Sequence, residues 1–190
     1  PCRRAAKLEH PDIHILFPTR MWPDTKAEQD KWIDEVNDHR VQIAGERYFP
    51  FVYKKSAQIV VKTVEEVRER LQESSLEGGR RVCVVLSADR LNAATGNRLL
   101  KVLEEPPPGV HFILTAERVS SMLSTIVSRS TVIRFRRLTA EEVGIWFSGT
   151  VGIDPELQKA AALESEGSIK TAKKFMFEGA FDLRARAYGM

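Results

Sequence analysis

The chain has 190 residues, 43% of them hydrophobic, and a net charge of +3, so it can bury a core and its charge is nearly balanced. No apolar run approaches the roughly 20 residues that a membrane-spanning helix needs, which argues against a membrane protein. Its two cysteines, Cys2 and Cys83, are far apart and exclude a disulfide framework, so we expect a reducing, cytoplasmic setting.

The first third of the chain predicts two strands separated by an insertion. Ile13–Phe17 follows a proline turn and predicts the first strand. Residues 18–55 mix aromatic residues with prolines, and we interpret them as an insertion that contains an amphipathic helix over Lys26–Arg40. Gln58–Val61 predicts the next strand.

The middle of the chain opens with a helix and an apolar strand. Thr63, with Glu66 three residues later, has the pattern of a capping box and predicts a helix over Val64–Ser74. Val82–Leu86 is continuously apolar, which is typical of a strand covered on both faces of a parallel sheet.

One helix and two more strands follow. Asn92 predicts the start of a helix over Ala93–Glu105, which three prolines end. His111–Thr115 and Thr131–Phe135 are predicted strands. Strands that alternate with helices at this spacing predict an α/β fold with a parallel sheet flanked by helices.

The last part of the chain has a purely helical pattern. Thr139, Asp154 and Ser168 mark the starts of three helices. We therefore predict a sheet domain over 1–138 and a small three-helix domain over 139–180.

One run of residues resembles a known family. Asn97–Pro107 reads N-R-L-L-K-V-L-E-E-P-P, and it is followed by the strand Phe112–Thr115 and by Ser128-Arg129-Ser130. This combination is similar to the signature of bacterial clamp-loader subunits of the AAA+ ATPase superfamily, which usually end it with Ser-Arg-Cys. Cys2, a few residues before His10-Pro11-Asp12, agrees, because His-Pro-Asp follows the last cysteine of the family's zinc module.

The resemblance implies an AAA+ sheet that is incomplete at its N-terminus and is followed by a helical lid. Residues 181–190 would begin a helical collar, and without that collar the fragment is expected to be monomeric. The phosphate-binding loop and the other zinc cysteines would lie upstream of Pro1. We therefore expect no cofactor in this fragment, and zinc at Cys2 only in a full-length protein.

The end of the second apolar strand differs from that of hydrolysing family members. Those members place Asp-Glu there, to hold Mg²⁺ and to orient the attacking water. The corresponding residues here are Leu86 and Ser87, which offer neither a carboxylate for a hard cation nor a base near neutral pH. Asp89 lies two residues further on, where it could act as a displaced substitute. We expect no ATPase activity from the chain alone.

The resemblance gives Arg129, between Ser128 and Ser130, the role of an arginine finger. Such an arginine reaches the nucleotide of a neighbouring subunit and stabilises charge on its terminal phosphate. For an isolated Ser-Arg-Ser, a solvated arginine in a polar turn would be the simpler interpretation. Two weaker assignments are Lys170, at the nucleotide-sensing position of the lid, and Thr115, near the tip of a strand.

This chain lacks the two acids and keeps the arginine, and in this combination it resembles the delta-prime branch of the family. This implies a pentamer with gamma or tau motor subunits and delta, which loads the sliding clamp onto primed DNA within the DNA polymerase III holoenzyme, a nucleotidyltransferase. Two alternatives stay open. An active motor of the gamma or tau type would need a phosphate loop upstream and an acid in place of Leu86 and Ser87. A DNA-contacting module is suggested by three basic residues, Arg134, Arg136 and Arg137.

Overall fold

The computed structural model describes residues 3–6, 8–19, 23–45, 57–73, 75–76, 78–148 and 154–176. These residues form two compact units, and the chain passes from unit one to unit two between Val132 and Ile133. The predicted domain limits at 138 and 180 stay predictions. The predicted start of a collar over 181–190 lies outside the described residues.

A parallel sheet forms the centre of unit one. Its strands follow each other in chain order and are β1 (Ile13–Leu16), β2 (Arg81–Val85) and β3 (Val110–Leu114). Val82 pairs with Ile13 on one side and with His111 on the other. Parallel neighbours need long crossover connections, and both crossovers here contain helices. The predicted fold class, a parallel α/β sheet flanked by helices and followed by a helical unit, is confirmed.

The helices of unit one carry its core. In the described ranges they are α1 (Arg3–Ala6), α2 (Lys26–Gly45), α3 (Val61–Gln72), α4 (Ala93–Glu104) and α5 (Ser124–Val127). The buried residues of α3, Val64, Val67 and Leu71, recur at the spacing of one helix face. They join Cys83 and Leu99 in one apolar cluster between the helices and the sheet. None of the described helices is long and apolar enough to cross a membrane.

The insertion contains one long described helix. α2 confirms the predicted helix over 26–40 and extends it to Gly45. Trp32 is buried, and His39 meets the edge of Phe17 with ring centroids 6.1 Å apart, so the helix packs beside the end of β1. The other aromatic residues of the insertion lie outside the described residues: Trp22, Tyr48, Phe49, Phe51 and Tyr53.

All the secondary-structure elements in the described part of unit two are helices. It consists of α6 (Ala140–Phe147), α7 (Pro155–Glu164) and a helical stretch over 169–176. The capping box of Thr139 and Glu142 starts α6, and Asp154 caps α7. The helices close on a small core, formed by Val143, Phe147, Ala161, Ala162, Ala172 and Met176.

Two predicted strands are wrong, and one predicted helix is confirmed but begins earlier than expected. Residues 131–139 form no strand, because no strand of the described chain pairs with them. The predicted strand Gln58–Val61 is not formed, because Gln58 makes only an isolated bridge with Thr19. The helix predicted to begin at Val64 begins at Val61. The Thr63 hydroxyl donates to the Val60 carbonyl at 2.7 Å instead of accepting a capping hydrogen bond.

The two faces of the sheet are not equally covered. Arg81, Cys83 and Val85 on β2 are buried, whereas Val82 is half-buried. On β3, Ile113 is 53% exposed. The second face of β2 is thus partly covered, whereas β3 has exposed residues on its second face in the described part of the chain.

Candidate functional site

Hydrogen bonds tie the carboxyl end of β2 to the ends of β1 and β3, without any acidic side chain. The amide of Leu86 donates to Leu16 O at 2.8 Å, and the amide of Ser87 donates to the Thr115 hydroxyl at 3.1 Å. Ser87 has a left-handed backbone, with φ 54° and ψ 53°. Thr115 therefore holds the turn after β2, which is a structural role for its hydroxyl.

Asp89 is the nearest acid to this strand end. It lies in a short 3-10 turn over 88–90, and its Oδ1 is buried without a hydrogen-bond partner among the described residues. A single carboxylate does not make a metal site. Nowhere in the described ranges do three or more His, Cys, Asp or Glu residues come together as metal ligands. The described residues thus contain no cluster of the kind that holds a structural zinc ion, and Cys2 lies outside them.

The turn that carries Arg129 is built by the two serines around it. α5 ends at Val127, and the hydroxyl of Ser128 donates to Thr125 O at 3.0 Å. The Ser130 hydroxyl donates to Ile126 O at 2.8 Å. Both serine hydroxyls therefore add donors to carbonyl groups in the last turn of the helix. The Arg129 amide also donates to Ile126 O, at 3.2 Å, so backbone and side-chain hydrogen bonds together close this turn.

The guanidinium of Arg129 lies at the surface of unit one. Its Nη2 contacts Oε1 of Glu104 at 2.8 Å, and its Nη1 donates to Thr125 O at 3.1 Å. The side chains of Arg129 and Glu104 are 39% and 47% exposed. Exposed ion pairs of this kind contribute about 0.2–1 kcal/mol of interaction free energy, so Glu104 binds Arg129 only weakly.

Close helix packing brings these two residues together. α5 rests on α4 at Gly96, where a Cβ would stand 2.1 Å from Leu123 Cδ1. Ile126 is fully buried at the same contact. The end of α4, with Glu104, and the turn after α5, with Arg129, consequently face each other. Sequence reasoning missed Glu104, because no local pattern links residues 25 positions apart.

The Lys170 segment forms a helix start in unit two. Ser168 Oγ accepts from the Thr171 amide at 3.2 Å, which caps the helical stretch that contains Lys170. The turn before it is tight: Gly167 has φ 80°, and its amide donates to the Ser165 hydroxyl at 3.2 Å. These contacts account for the Gly-Ser pair by structure alone. Lys170 belongs to unit two, whereas Thr115 and Arg129 belong to unit one.

The basic residues after position 133 are largely paired within unit two. Arg136 binds both carboxylate oxygens of Glu142, at 2.6 and 2.7 Å, and Arg137 contacts Glu166 at 2.7 Å. The hydrogen bonds from Arg136 lower the pKa of Glu142 to about 2. The predicted strand over 131–135, which would carry Arg134, is not formed.

Comparison with known proteins identifies the family. A family model described as "DNA polymerase III, delta subunit" matches residues 1–139, more than half of the chain. The chain belongs to this family. The match includes the turn with Arg129 and the strand end at Leu86 and Ser87.

The relatives that the chain matches are named as subunits of DNA polymerase III. It is 31% identical to DNA polymerase III subunit delta' of Haemophilus influenzae, over 62% of this chain and 40% of the relative. It is 27% identical to the protein of the same name from Yersinia pestis, over 90% of this chain and 53% of the relative. DNA polymerase III subunit gamma of Buchnera aphidicola is 30% identical, over 57% of this chain and 32% of the relative. The chain thus spans about half, or less, of the relatives it matches.

Proposed function

We propose that this chain is part of a clamp-loader subunit of the delta-prime type, which does not hydrolyse ATP. In this role Arg129 is the arginine finger, offered in trans to the nucleotide of a neighbouring ATPase subunit. The observation that carries the proposal is the exposed Arg129 guanidinium on a closed turn, in a chain where Leu86 and Ser87 follow β2. The delta' names of the relatives support the same conclusion.

The chemistry of Arg129 suits this task. A guanidinium stays charged at all physiological pH values and presents a planar fork that matches phosphate oxygens. Charge builds on the terminal phosphate during transfer, and an arginine supplied by a neighbour stabilises it. The intramolecular partner of Arg129 is an exposed carboxylate, which an incoming phosphate can replace.

The partners follow from this role. They are the gamma or tau motor subunits and delta in a pentamer, with the sliding clamp and primed DNA bound by the whole complex. The setting is DNA replication by the DNA polymerase III holoenzyme in the bacterial cytoplasm. Zinc, if the full-length protein binds it, would be held through Cys2 and cysteines outside these residues.

Two other functions have less support. A motor subunit needs acids at the end of β2, and magnesium-dependent ATP hydrolysis by the isolated full-length protein would favour it. A DNA-contacting role for the basic residues after position 133 is weakened by the ion pairs of Arg136 and Arg137. A strong salt dependence of DNA binding, lost on removal of these arginines, would revive it.

The experiment that tests the proposal measures ATP hydrolysis by the reconstituted clamp loader. With Arg129→Ala in this subunit, we expect turnover to fall by about 10³-fold or more. Arg118→Ala removes another exposed arginine of unit one and is the matched control, which should hydrolyse ATP at the normal rate. An unchanged rate with Arg129→Ala would end the assignment.

A further inference from the structure

Glu104 is the last residue of α4, and the turn that carries Arg129 lies beside it. Its Oε1 contacts Nη2 of Arg129 at 2.8 Å. The other side of the guanidinium is held by the chain itself, since Nη1 donates to Thr125 O at 3.1 Å and lies 3.4 Å from Ser128 Oγ. Arg129 therefore has one fixed edge and one edge that faces an exposed carboxylate.

A phosphate group would need the edge that Glu104 occupies. A guanidinium binds phosphate best through two parallel N–H donors, and in this structure Nη2 is already paired with a carboxylate. Glu104 also places a negative charge beside the arginine, which repels an approaching triphosphate. The carboxylate and the phosphate consequently compete for the same donors.

We propose that Glu104 is a positioning residue. Its carboxylate binds Arg129 until a phosphate of the neighbour's nucleotide replaces that carboxylate. Arg129 then exchanges the Glu104 carboxylate for a phosphate oxygen, with no change in covalent bonds. This inference rests on the proposed function, because it gives the finger a counter-ion in its own subunit.

The strength of an exposed ion pair sets the size of the effect. Such pairs shift an equilibrium by up to about fivefold, which is about 1 kcal/mol at about 1.4 kcal/mol per factor of ten. The fraction of subunits with a released Arg129 scales the rate in the same proportion. Glu104 can therefore tune hydrolysis but cannot block it.

The test compares two neighbouring glutamates in the reconstituted clamp loader. Glu104→Gln removes the charge that faces Arg129. Glu105→Gln removes an exposed charge one residue later that has no ion pair among the described residues, and it is the matched control. We expect Glu104→Gln to raise kcat and kcat/KM for ATP together, by up to about fivefold at low salt. The gain should shrink at high salt, and the control should not show it.

A double variant separates this inference from the proposed function. In an Arg129→Ala background, Glu104→Gln should bring no gain, because the residue on which it acts is absent. An equal gain in that background, or no gain or a loss with Glu104→Gln alone, would overturn the role of Glu104. If Arg129→Ala itself leaves the rate unchanged, the proposed function fails. Should Glu104→Gln not assemble, Glu104→Asp retracts the carboxylate and should give a smaller gain.

Discussion

Gly167 lies directly against the backbone of Leu138 in unit two. A Cβ at residue 167 would stand 2.2 Å from the Leu138 carbonyl oxygen, and the Leu138 amide donates to Gly167 O at 3.3 Å. Gly167 also has φ 80°, a conformation that costs other residues about 1–2 kcal/mol. We expect Gly167→Ala to lower the free energy of unfolding by about 2 kcal/mol or more, measured by denaturant unfolding.

Gly144 provides the matched control for that substitution. It lies inside α6, and a Cβ there would meet nothing within 4 Å. Gly144→Ala should stabilise the protein by about 0.5–1 kcal/mol, since alanine favours the helix. Equal effects of the two substitutions would contradict the close contact between Gly167 and Leu138.

The strands and helices that the sequence predicts well are those with a local signal. β1, β2 and β3 follow from short apolar runs, and α4 follows from Asn92, whose side chain accepts from the Thr95 amide at 2.8 Å. Residues 131–135 show why such a signal is not sufficient. Their apolar alternation fits a strand, but a strand needs a partner, and pairing is a long-range property that no local pattern contains.

The start of α3 fails for a different physical reason. Thr63 and Glu66 have the spacing of a capping box, but a threonine hydroxyl can donate as well as accept. Here it donates to Val60 O, and the helix begins two residues before Thr63. A sequence pattern cannot distinguish these two uses of the same hydroxyl.

The candidate site also has one part that the sequence predicts and one part that it does not. Arg129 was predicted from a motif, and its role stays a prediction. The pairing with Glu104 could not be predicted, because it depends on how closely α5 packs on α4 at Gly96. Spacing in the chain contains no information about that contact.

Arg81 is a buried charge whose partners among the described residues are backbone carbonyls. It is 7% exposed, and it donates to the carbonyl oxygens of Leu71, Glu73 and Pro108. We expect Arg81→Met to cost about 3 kcal/mol or more, because buried carbonyls at the end of α3 would lose their donors. Thermal and denaturant unfolding measure the loss.

The neighbouring arginine makes that prediction specific. Arg80 is exposed and has no hydrogen bond or ion pair among the described residues. Arg80→Met should change the stability by no more than about 0.5 kcal/mol. Similar losses for the two variants would mean that burial of Arg81 is not what stabilises the protein.

Cys83 should be chemically inert in the folded protein. Burial raises the pKa of its thiol to about 12, and the thiolate is the reactive form. In a Cys2→Ser variant, we expect a thiol reagent at pH 8 to label Cys83 only as fast as the protein opens. The labelling rate should rise with denaturant, and rapid labelling of the native protein would contradict the buried position of Cys83.

Acid should weaken unit two through Glu142. The hydrogen bonds from Arg136, followed by that from the Thr139 amide, lower the pKa of Glu142 to about 2 in the folded state. An unfolded glutamate titrates near its ordinary value of about 4.3, so the unfolded state binds a proton first as the pH falls. The stabilisation is therefore complete above about pH 4.5 and is lost as the pH falls toward 2. Denaturant midpoints of the parent protein and Glu142→Gln should differ at pH 7 and converge at low pH. Glu141→Gln, one residue earlier, should show no such convergence, and a constant difference for Glu142→Gln would show that its ion pair with Arg136 does not cause the effect.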